Sequence, residues 1–158
     1  DDQAVVDDIL RRIDRFQATM EYPLYDGVTE FLDELSRRGI TAAIVTSSDD
    51  RKMQLLFKQH PTLRDYFEEV IDASMITRSK PDPEGYLKAA EAIGCDPHDC
   101  FVFEDSLQGI KAGNASGATV IALATTYPRQ ELIGKAATVI DGFKEFSVDD
   151  MLNLGSII

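Results

Sequence analysis

The chain has 158 residues, of which 44% are hydrophobic and 28% charged, and its formal net charge is −12. This length and composition suit one globular domain with its own core and exclude a disordered chain. The acidic charge argues against nucleic acid and anionic membrane surfaces as partners. No stretch has the pattern of a signal peptide or the ~20 apolar residues of a membrane span, so we expect a cytoplasmic protein. The two cysteines, Cys95 and Cys100, are too few for a disulfide scaffold, and we expect them to pack as small apolar groups.

The first elements are predicted from the spacing of apolar residues. Residues 2–20 have the periodicity of an amphipathic helix, and residues 22–27 interrupt it as a linker. A second helix is predicted from Val28 and is stopped by Gly39. The continuously apolar residues 40–46 are typical of a strand buried on both faces of a parallel sheet.

Helices and strands alternate in the rest of the chain. Further helices are predicted at residues 50–60, 82–94, 106–116, 130–135 and 148–152. Further strands are predicted at residues 69–73, 100–103, 119–123 and 137–140. Strands separated by helices of this length indicate right-handed βαβ units, because parallel strands need crossover connections. We therefore predict an α/β fold in which helices cover both faces of a doubly wound parallel sheet, which makes three layers.

Three clusters of polar residues lie at or just beyond predicted strand ends, where open α/β sheets bind ligands. The first consists of Thr46, Ser47 and Ser48, which precede a helix. Hydroxyls and backbone N–H groups at such a position can bind phosphate oxygens. The alternative is that these residues only cap the helix.

The second cluster contains Lys80, which lies in a loop with a proline on each side, at Pro81 and Pro83. A lysine held in this way can present a fixed positive charge to a phosphoryl group and to a carboxylate beside it. The alternative is an ordinary solvated loop lysine.

The third cluster is the acidic pair Glu104 and Asp105, which follows a strongly apolar strand. Two carboxylates at the end of a buried strand are costly to desolvate unless a cation is close. Hard oxygen ligands of this kind suit Mg²⁺. The alternative is that Asp105 helps to cap the helix that starts at Ser106.

Taken in this order, the three clusters resemble the motifs of the haloacid dehalogenase superfamily. The resemblance is to its β-phosphoglucomutase-like and sugar-phosphate phosphatase-like hydrolases, and it covers nearly the whole chain. It rests on Ile-Val-Thr-Ser-Ser at residues 44–48, Ser-Lys-Pro-Asp-Pro at 79–83 and Phe-Glu-Asp-Ser at 103–106.

The resemblance implies a Rossmann-like core and a phosphoryl-transfer enzyme that acts through an aspartyl-phosphate. Thr46 would bind the transferring phosphoryl group, with Ser47 and Ser48 beside it, and Lys80 would orient the nucleophile and the phosphate. Asp105 and Glu104 would hold Mg²⁺. The expected substrate is a small phosphorylated metabolite such as a sugar phosphate.

The chain departs from the family pattern because it contains no Asp-x-Asp, the motif that supplies the nucleophile and the acid/base. In the family this motif follows the central strand of the sheet. We therefore interpret residues 1–22 as the last helix of a helical cap, and residues 23–158 as a core that lacks its first strand. A missing N-terminal segment of the same protein is expected to complete the sheet, and the chain alone is expected to be inactive.

Two other functions stay open. A sugar-phosphate mutase must hold a second phosphate, but Asp49 and Asp50 would repel one and Arg51 is the nearest cation to them in the sequence. This favours a phosphatase over a mutase. A non-catalytic relative, or a fragment that serves as an interaction module, is the second alternative, and the missing nucleophile is its support.

Overall fold

A computed structural model describes residues 3–6, 26–48 and 50–155. The strands are β1 (Gln3–Val6), β2 (Ala42–Val45), β3 (Phe67–Ile71), β4 (Cys100–Glu104), β5 (Thr119–Leu123) and β6 (Thr138–Ile140). The helices are α1 (Val28–Arg37), α2 (Asp50–Gln59), α3 (Glu84–Ala92), α4 (Leu107–Ser116), α5 (Arg129–Leu132) and α6 (Val148–Gly155). The predicted α/β fold is confirmed, and from Val28 onward each predicted element is present with bounds shifted by a few residues.

The six strands form one parallel sheet in the order β3-β2-β1-β4-β5-β6. β1 is central: Ala4 is opposite Ala42 of β2, and Val5 is opposite Val102 of β4. From β1 the chain adds β2 and β3 on one side and then crosses over to add β4, β5 and β6 on the other side. The switch point of the sheet therefore lies beside β1.

The position of β1 corrects two predictions. Residues 3–6 form a strand and not the beginning of a helix, and the central position of the sheet is filled by this chain rather than empty. The reason is that a short apolar run with two valines fits a strand as well as a helix, and the facing edges of β2 and β4 offer it unpaired backbone groups. The rest of the helix predicted at 2–20, and with it most of the predicted cap at 1–22, lies outside the described residues.

Each face of the sheet is covered by an apolar layer. On one face, the aromatic side chains of Phe31, Phe103 and Phe143 pack with ring centroids 5.1–5.4 Å apart. On the other face, Tyr86 of α3 and Ile110 of α4 pack among the small and branched side chains of the strands. These two layers confirm the predicted three-layer arrangement. Among the helices in residues 26–155 that the structure describes, none combines the length and the apolar character that crossing a membrane requires.

Candidate active site

Lys80 is held at the carboxyl end of β4 by a buried ion pair. Its Nζ lies 2.8 Å from Oε2 of Glu104, and the two side chains are 11% and 0% exposed. The hydroxyl of Tyr86 donates a hydrogen bond to the same carboxylate oxygen, and the Lys80 ammonium lies 5.2 Å from the centroid of the Tyr86 ring. The loop that contains Lys80, 24 residues before Glu104 in the sequence, therefore places the Lys80 ammonium beside the acidic pair. Lys80 is not a solvated loop lysine.

The second oxygen of Glu104 is also engaged by the protein. Oε1 accepts hydrogen bonds from the hydroxyl of Ser106 at 3.0 Å and from the backbone N–H groups of Ser106 and Asp105 at 3.2 and 3.1 Å. Both carboxylate oxygens thus face donors of the protein itself. In this geometry the Glu104 carboxylate pairs with Lys80, and the prediction that Glu104 is a metal ligand stays a prediction.

Gly109 provides the space for the Glu104 carboxylate. A Cβ atom at this position would lie 1.9 Å from Cδ of Glu104, closer than two such atoms can approach. Ser106 is the N-cap of α4, because its hydroxyl accepts a hydrogen bond from the N–H of Gly109 at 2.9 Å. Ser106, rather than Asp105, therefore caps this helix.

Asp105 is fully buried beside Glu104 and accepts a hydrogen bond from the hydroxyl of Thr126 on its Oδ2. Thr126 lies just beyond the end of β5, the strand that neighbours β4. Thr126 is not among the site residues predicted from the sequence. The rule that identified the other clusters, polar residues after the end of a strand, applies equally to Thr125 and Thr126 after β5.

Thr46 and Ser48 form a tight turn beyond β2. Thr46 is 2% exposed, and its hydroxyl accepts a hydrogen bond from the N–H of Ser48 at 2.9 Å, while Ser47 is exposed. The turn is tied to the neighbouring strand because the N–H of Thr46 donates to the carbonyl of Ile71 at 2.9 Å. β2 is two positions from β4, so roughly 10 Å separates this turn from the Lys80–Glu104 pair across the end of β1. The hydroxyl and lysine clusters thus share one edge of the sheet, without a direct contact between Thr46 and Lys80.

The two cysteines lie away from this edge. Cys100 begins β4, at the opposite end of the strand from Asp105, and both thiols hydrogen-bond to the carbonyl of Asp96. Burial raises the pKa of the Cys100 thiol well above its ordinary value, so the group is a neutral thiol that packs against its surroundings.

The residues of this edge fit a divalent cation. Glu104 and Asp105 bring two carboxylates into a fully buried position, and the paired ammonium of Lys80 balances one of those charges. Thr126 donates a hydrogen bond to Asp105, and a hard cation is a further partner that suits a buried carboxylate. Within residues 26–48 and 50–155, no three histidine, cysteine or acidic side chains converge as a metal site. Asp105 would therefore share the ion with water, a phosphate or groups outside these residues.

A family model for haloacid dehalogenase-like hydrolases matches residues 1–117, which is more than half of the chain. The chain belongs to this family. The match includes all three clusters of the site and confirms the resemblance drawn from their residues.

Individual relatives agree with this assignment. The chain is 26% identical over 148 residues to a bifunctional riboflavin kinase/FMN phosphatase of Arabidopsis thaliana, covering 87% of this chain and 39% of that protein. It is 30% identical over 133 residues to the chloroplastic 5-amino-6-(5-phospho-D-ribitylamino)uracil phosphatase of the same plant, covering 84% and 35%. A crystal structure of a family IA, variant 3 hydrolase from Entamoeba histolytica superimposes with a TM-score of 0.81 at 28% identity, over 89% of this chain and 65% of that one. The chain thus spans less than two thirds of the length of each of these proteins.

Proposed function

We propose that the protein containing this chain hydrolyses small phosphomonoesters, sugar phosphates among them, with the help of Mg²⁺. The observation that carries the proposal is the buried Lys80–Glu104 pair beside Asp105, at the switch-point edge of the sheet. A fixed ammonium and a buried carboxylate are the groups needed to neutralise and orient a phosphoryl group. The family match and the phosphatases among the relatives support this proposal.

Each side chain has a distinct task in this proposal. The ammonium of Lys80 would bind a non-bridging phosphate oxygen and hold it in line for transfer. Thr46 and the backbone N–H groups around Ser47 and Ser48 would bind the other oxygens from the side of β2. Asp105 would hold Mg²⁺, which neutralises charge on the phosphoryl group when bound.

The nucleophile is proposed to be an aspartate. Its carboxylate would form a bond to phosphorus as the ester oxygen leaves, and water would then cleave the aspartyl-phosphate to release phosphate. The sequence contains no Asp-x-Asp, and the adjacent acids Asp7 and Asp8, which follow β1, lie outside the described residues. We propose that an Asp-x-Asp elsewhere in the complete polypeptide supplies this group. Because β1 already fills the central position, that segment would have to bring its carboxylate to the end of β1 without adding a central strand.

A phosphatase is favoured over a mutase by the first turn of α2. Asp50 lies there, exposed, and accepts a hydrogen bond from Gln54, so a negative charge stands two residues beyond the hydroxyl turn in the chain. A second phosphate at this place would be repelled by Asp50, against the attraction of Arg51 and Lys52 in the same turn.

The test is an assay of the complete protein with p-nitrophenyl phosphate and a set of sugar phosphates, with Mg²⁺ or with EDTA. We expect release of inorganic phosphate that depends on Mg²⁺, and no release by the 158-residue chain alone. Conversion of one sugar phosphate into its isomer without phosphate release would show a mutase. Absence of both reactions in the complete protein would favour an interaction module.

A further inference from the structure

The loop of residues 76–83, which we call the lysine loop, carries Lys80 from β3 to α3. Its residues Thr77, Arg78 and Ser79 are exposed, as is Pro81. Ile76, at the start of the loop, packs against the core, but burial does not fix the backbone of the exposed part. Something else must hold it, because the Lys80 ammonium reaches Glu104 only from a defined backbone position.

Glu84, the first residue of α3, contacts the first half of the lysine loop. Its Oε2 accepts a hydrogen bond from the N–H of Thr77 at 3.0 Å, and its Oε1 accepts one from the N–H of Arg78 at 2.8 Å. The hydroxyl of Thr77 donates to Oε1 as well, at 2.9 Å. The carboxylate is only 19% exposed, so these contacts compete with little water.

Two further observations indicate that Glu84 is charged and fixed. The hydrogen bonds from Thr77 and Arg78 lower the pKa of Glu84 to about 2, with the N–H of Thr77 as the largest cause. Lys88, one turn along α3, lies 3.5 Å from Oε2 of Glu84 and donates a hydrogen bond to the carbonyl of Met75. Glu84 thus holds the loop at Thr77 and Arg78. Lys88, one turn further along α3, holds Met75, the residue just before the loop.

We propose that Glu84 is a positioning residue, which holds the lysine loop against α3 and thereby keeps the Lys80 ammonium at Glu104. Its effect on catalysis rests on the proposed function, but its effect on the loop does not. No motif recognised in the sequence contains Glu84. The residue acts on Lys80 through the backbone of the loop and has no contact of its own with Glu104.

A purely structural role for Glu84 makes a different prediction. A carboxylate at the N-terminus of a helix stabilises the helix through the helix dipole, whatever it contacts. Glu84→Asp keeps this charge but is one methylene too short to reach Thr77 and Arg78 together. Glu84→Gln keeps the length but removes the charge. If Glu84 only stabilises the helix, Glu84→Asp behaves as the unchanged protein.

The first experiment measures hydrogen exchange of the Thr77 and Arg78 amides by NMR in the complete protein. In both Glu84→Asp and Glu84→Gln we expect these amides to exchange about tenfold faster or more, as for the loss of a hydrogen bond to a charged group. The Lys80 ammonium signal, which is slowed in exchange by its bond to Glu104, is expected to broaden. Glu91→Gln, an exposed change on the same helix, is the control and should leave all three signals unchanged. Unchanged exchange at Thr77 and Arg78 in Glu84→Asp, with a melting temperature equal to that of the control, would overturn the proposal.

The second experiment measures kcat and KM for p-nitrophenyl phosphate in the complete protein carrying the same variants. A misplaced Lys80 should lower kcat by about 10- to 100-fold, because small displacements of a catalytic group cost factors of this size. KM is expected to change less, since the other phosphate contacts remain. Faster exchange together with normal kcat would overturn the positioning role while leaving phosphatase activity in place. If the unchanged complete protein had no activity, the proposed function would fail, and the exchange of the Lys80 ammonium would still decide whether Glu84 places it.

Discussion

Two loops bring the groups proposed to bind phosphate to the same edge of the sheet, and they are held by different forces. The hydroxyl loop, residues 46–48, is tied to the neighbouring strand through its backbone. The N–H of Thr46 bonds to the carbonyl of Ile71, and the carbonyl of Ser48 accepts from the N–H of Ala73. Its backbone position follows from the pairing of β2 with β3, and the Thr46 hydroxyl adds one bond within the turn.

The lysine loop is held by charged side chains from other elements. Glu84 bonds to its backbone, and Glu104 pairs with its lysine. Charged hydrogen bonds are strong when they are shielded from water, but they are lost when either partner changes. Changes in the hydroxyl loop should therefore stay local, whereas changes around the lysine loop should displace several groups together.

The largest effect is expected for Lys80→Ala. Removing the ammonium removes both a phosphate ligand and the partner of a fully buried carboxylate. We expect kcat of the complete protein to fall by about 10²- to 10³-fold, as for the loss of one pre-positioned group that stabilises the transition state. The measurement is steady-state phosphate release with p-nitrophenyl phosphate. Lys111→Ala, a change of an exposed lysine on α4, should have a much smaller effect, and equal effects of the two changes would contradict the assigned role.

Gly109→Ala tests how tightly Glu104 is held. The added Cβ would overlap the Glu104 carboxylate, so either α4 or the carboxylate must shift. We expect the free energy of unfolding to fall by about 1–3 kcal/mol, as for other overpacked positions, and the Lys80 contact to weaken with it. Urea unfolding measures this. Gly142→Ala is the matched control, since no atom lies within 4 Å of a Cβ at that position. Similar losses in both variants would show that Glu104 moves freely.

Thr126→Val tests the other carboxylate of the pair. The change keeps the side-chain shape but removes the hydroxyl that bonds to Oδ2 of Asp105. We expect the affinity of the complete protein for Mg²⁺ to fall by about 10- to 100-fold, which is the usual cost of losing a hydrogen bond to a metal ligand. Isothermal titration calorimetry with Mg²⁺ provides a readout that is independent of turnover. Thr62 is an exposed residue that precedes the outer strand β3, and Thr62→Val should leave the affinity unchanged. An unaltered affinity in Thr126→Val would exclude this role.

Thr46→Val examines the hydroxyl loop itself. It removes a buried hydroxyl that accepts from the N–H of Ser48 and is proposed to bind phosphate. We expect about tenfold lower kcat/KM in the complete protein, consistent with the loss of about one hydrogen bond. Because the backbone bonds to β3 remain, hydrogen exchange in the lysine loop should not change. Faster exchange at Thr77 and Arg78 in this variant would break the distinction between the two loops.

The sequence was sufficient for the residues that sit at strand ends, and insufficient for the contacts between elements. Thr46, Lys80 and Asp105 could be placed at one edge because parallel strands all end there. The direction of the Glu104 carboxylate could not be predicted from the sequence. It depends on Tyr86 of α3, on Lys80 and on the space left by Gly109. β1 was misassigned because a short apolar run satisfies both helix and strand patterns, and only the gap between two other strands decides between them.

The smallest expected effect is a change in the unfolding free energy with pH. It distinguishes the two loops because the lysine loop bonds to the Glu84 carboxylate. Hydrogen bonds in the folded state lower the pKa of Glu84 from 4.5 to about 2. Its contribution to stability is therefore fully present above pH 4.5 and is lost as the pH falls through about 2, because the unfolded chain takes up the proton first. Glu84→Gln has no such proton, so its deficit in unfolding free energy relative to the unchanged chain should shrink between pH 5 and pH 2. Urea unfolding at several pH values measures this difference, with Thr46→Val as the comparison whose deficit should stay constant. A deficit of Glu84→Gln that does not vary with pH would mean that the carboxylate is not held by the lysine loop.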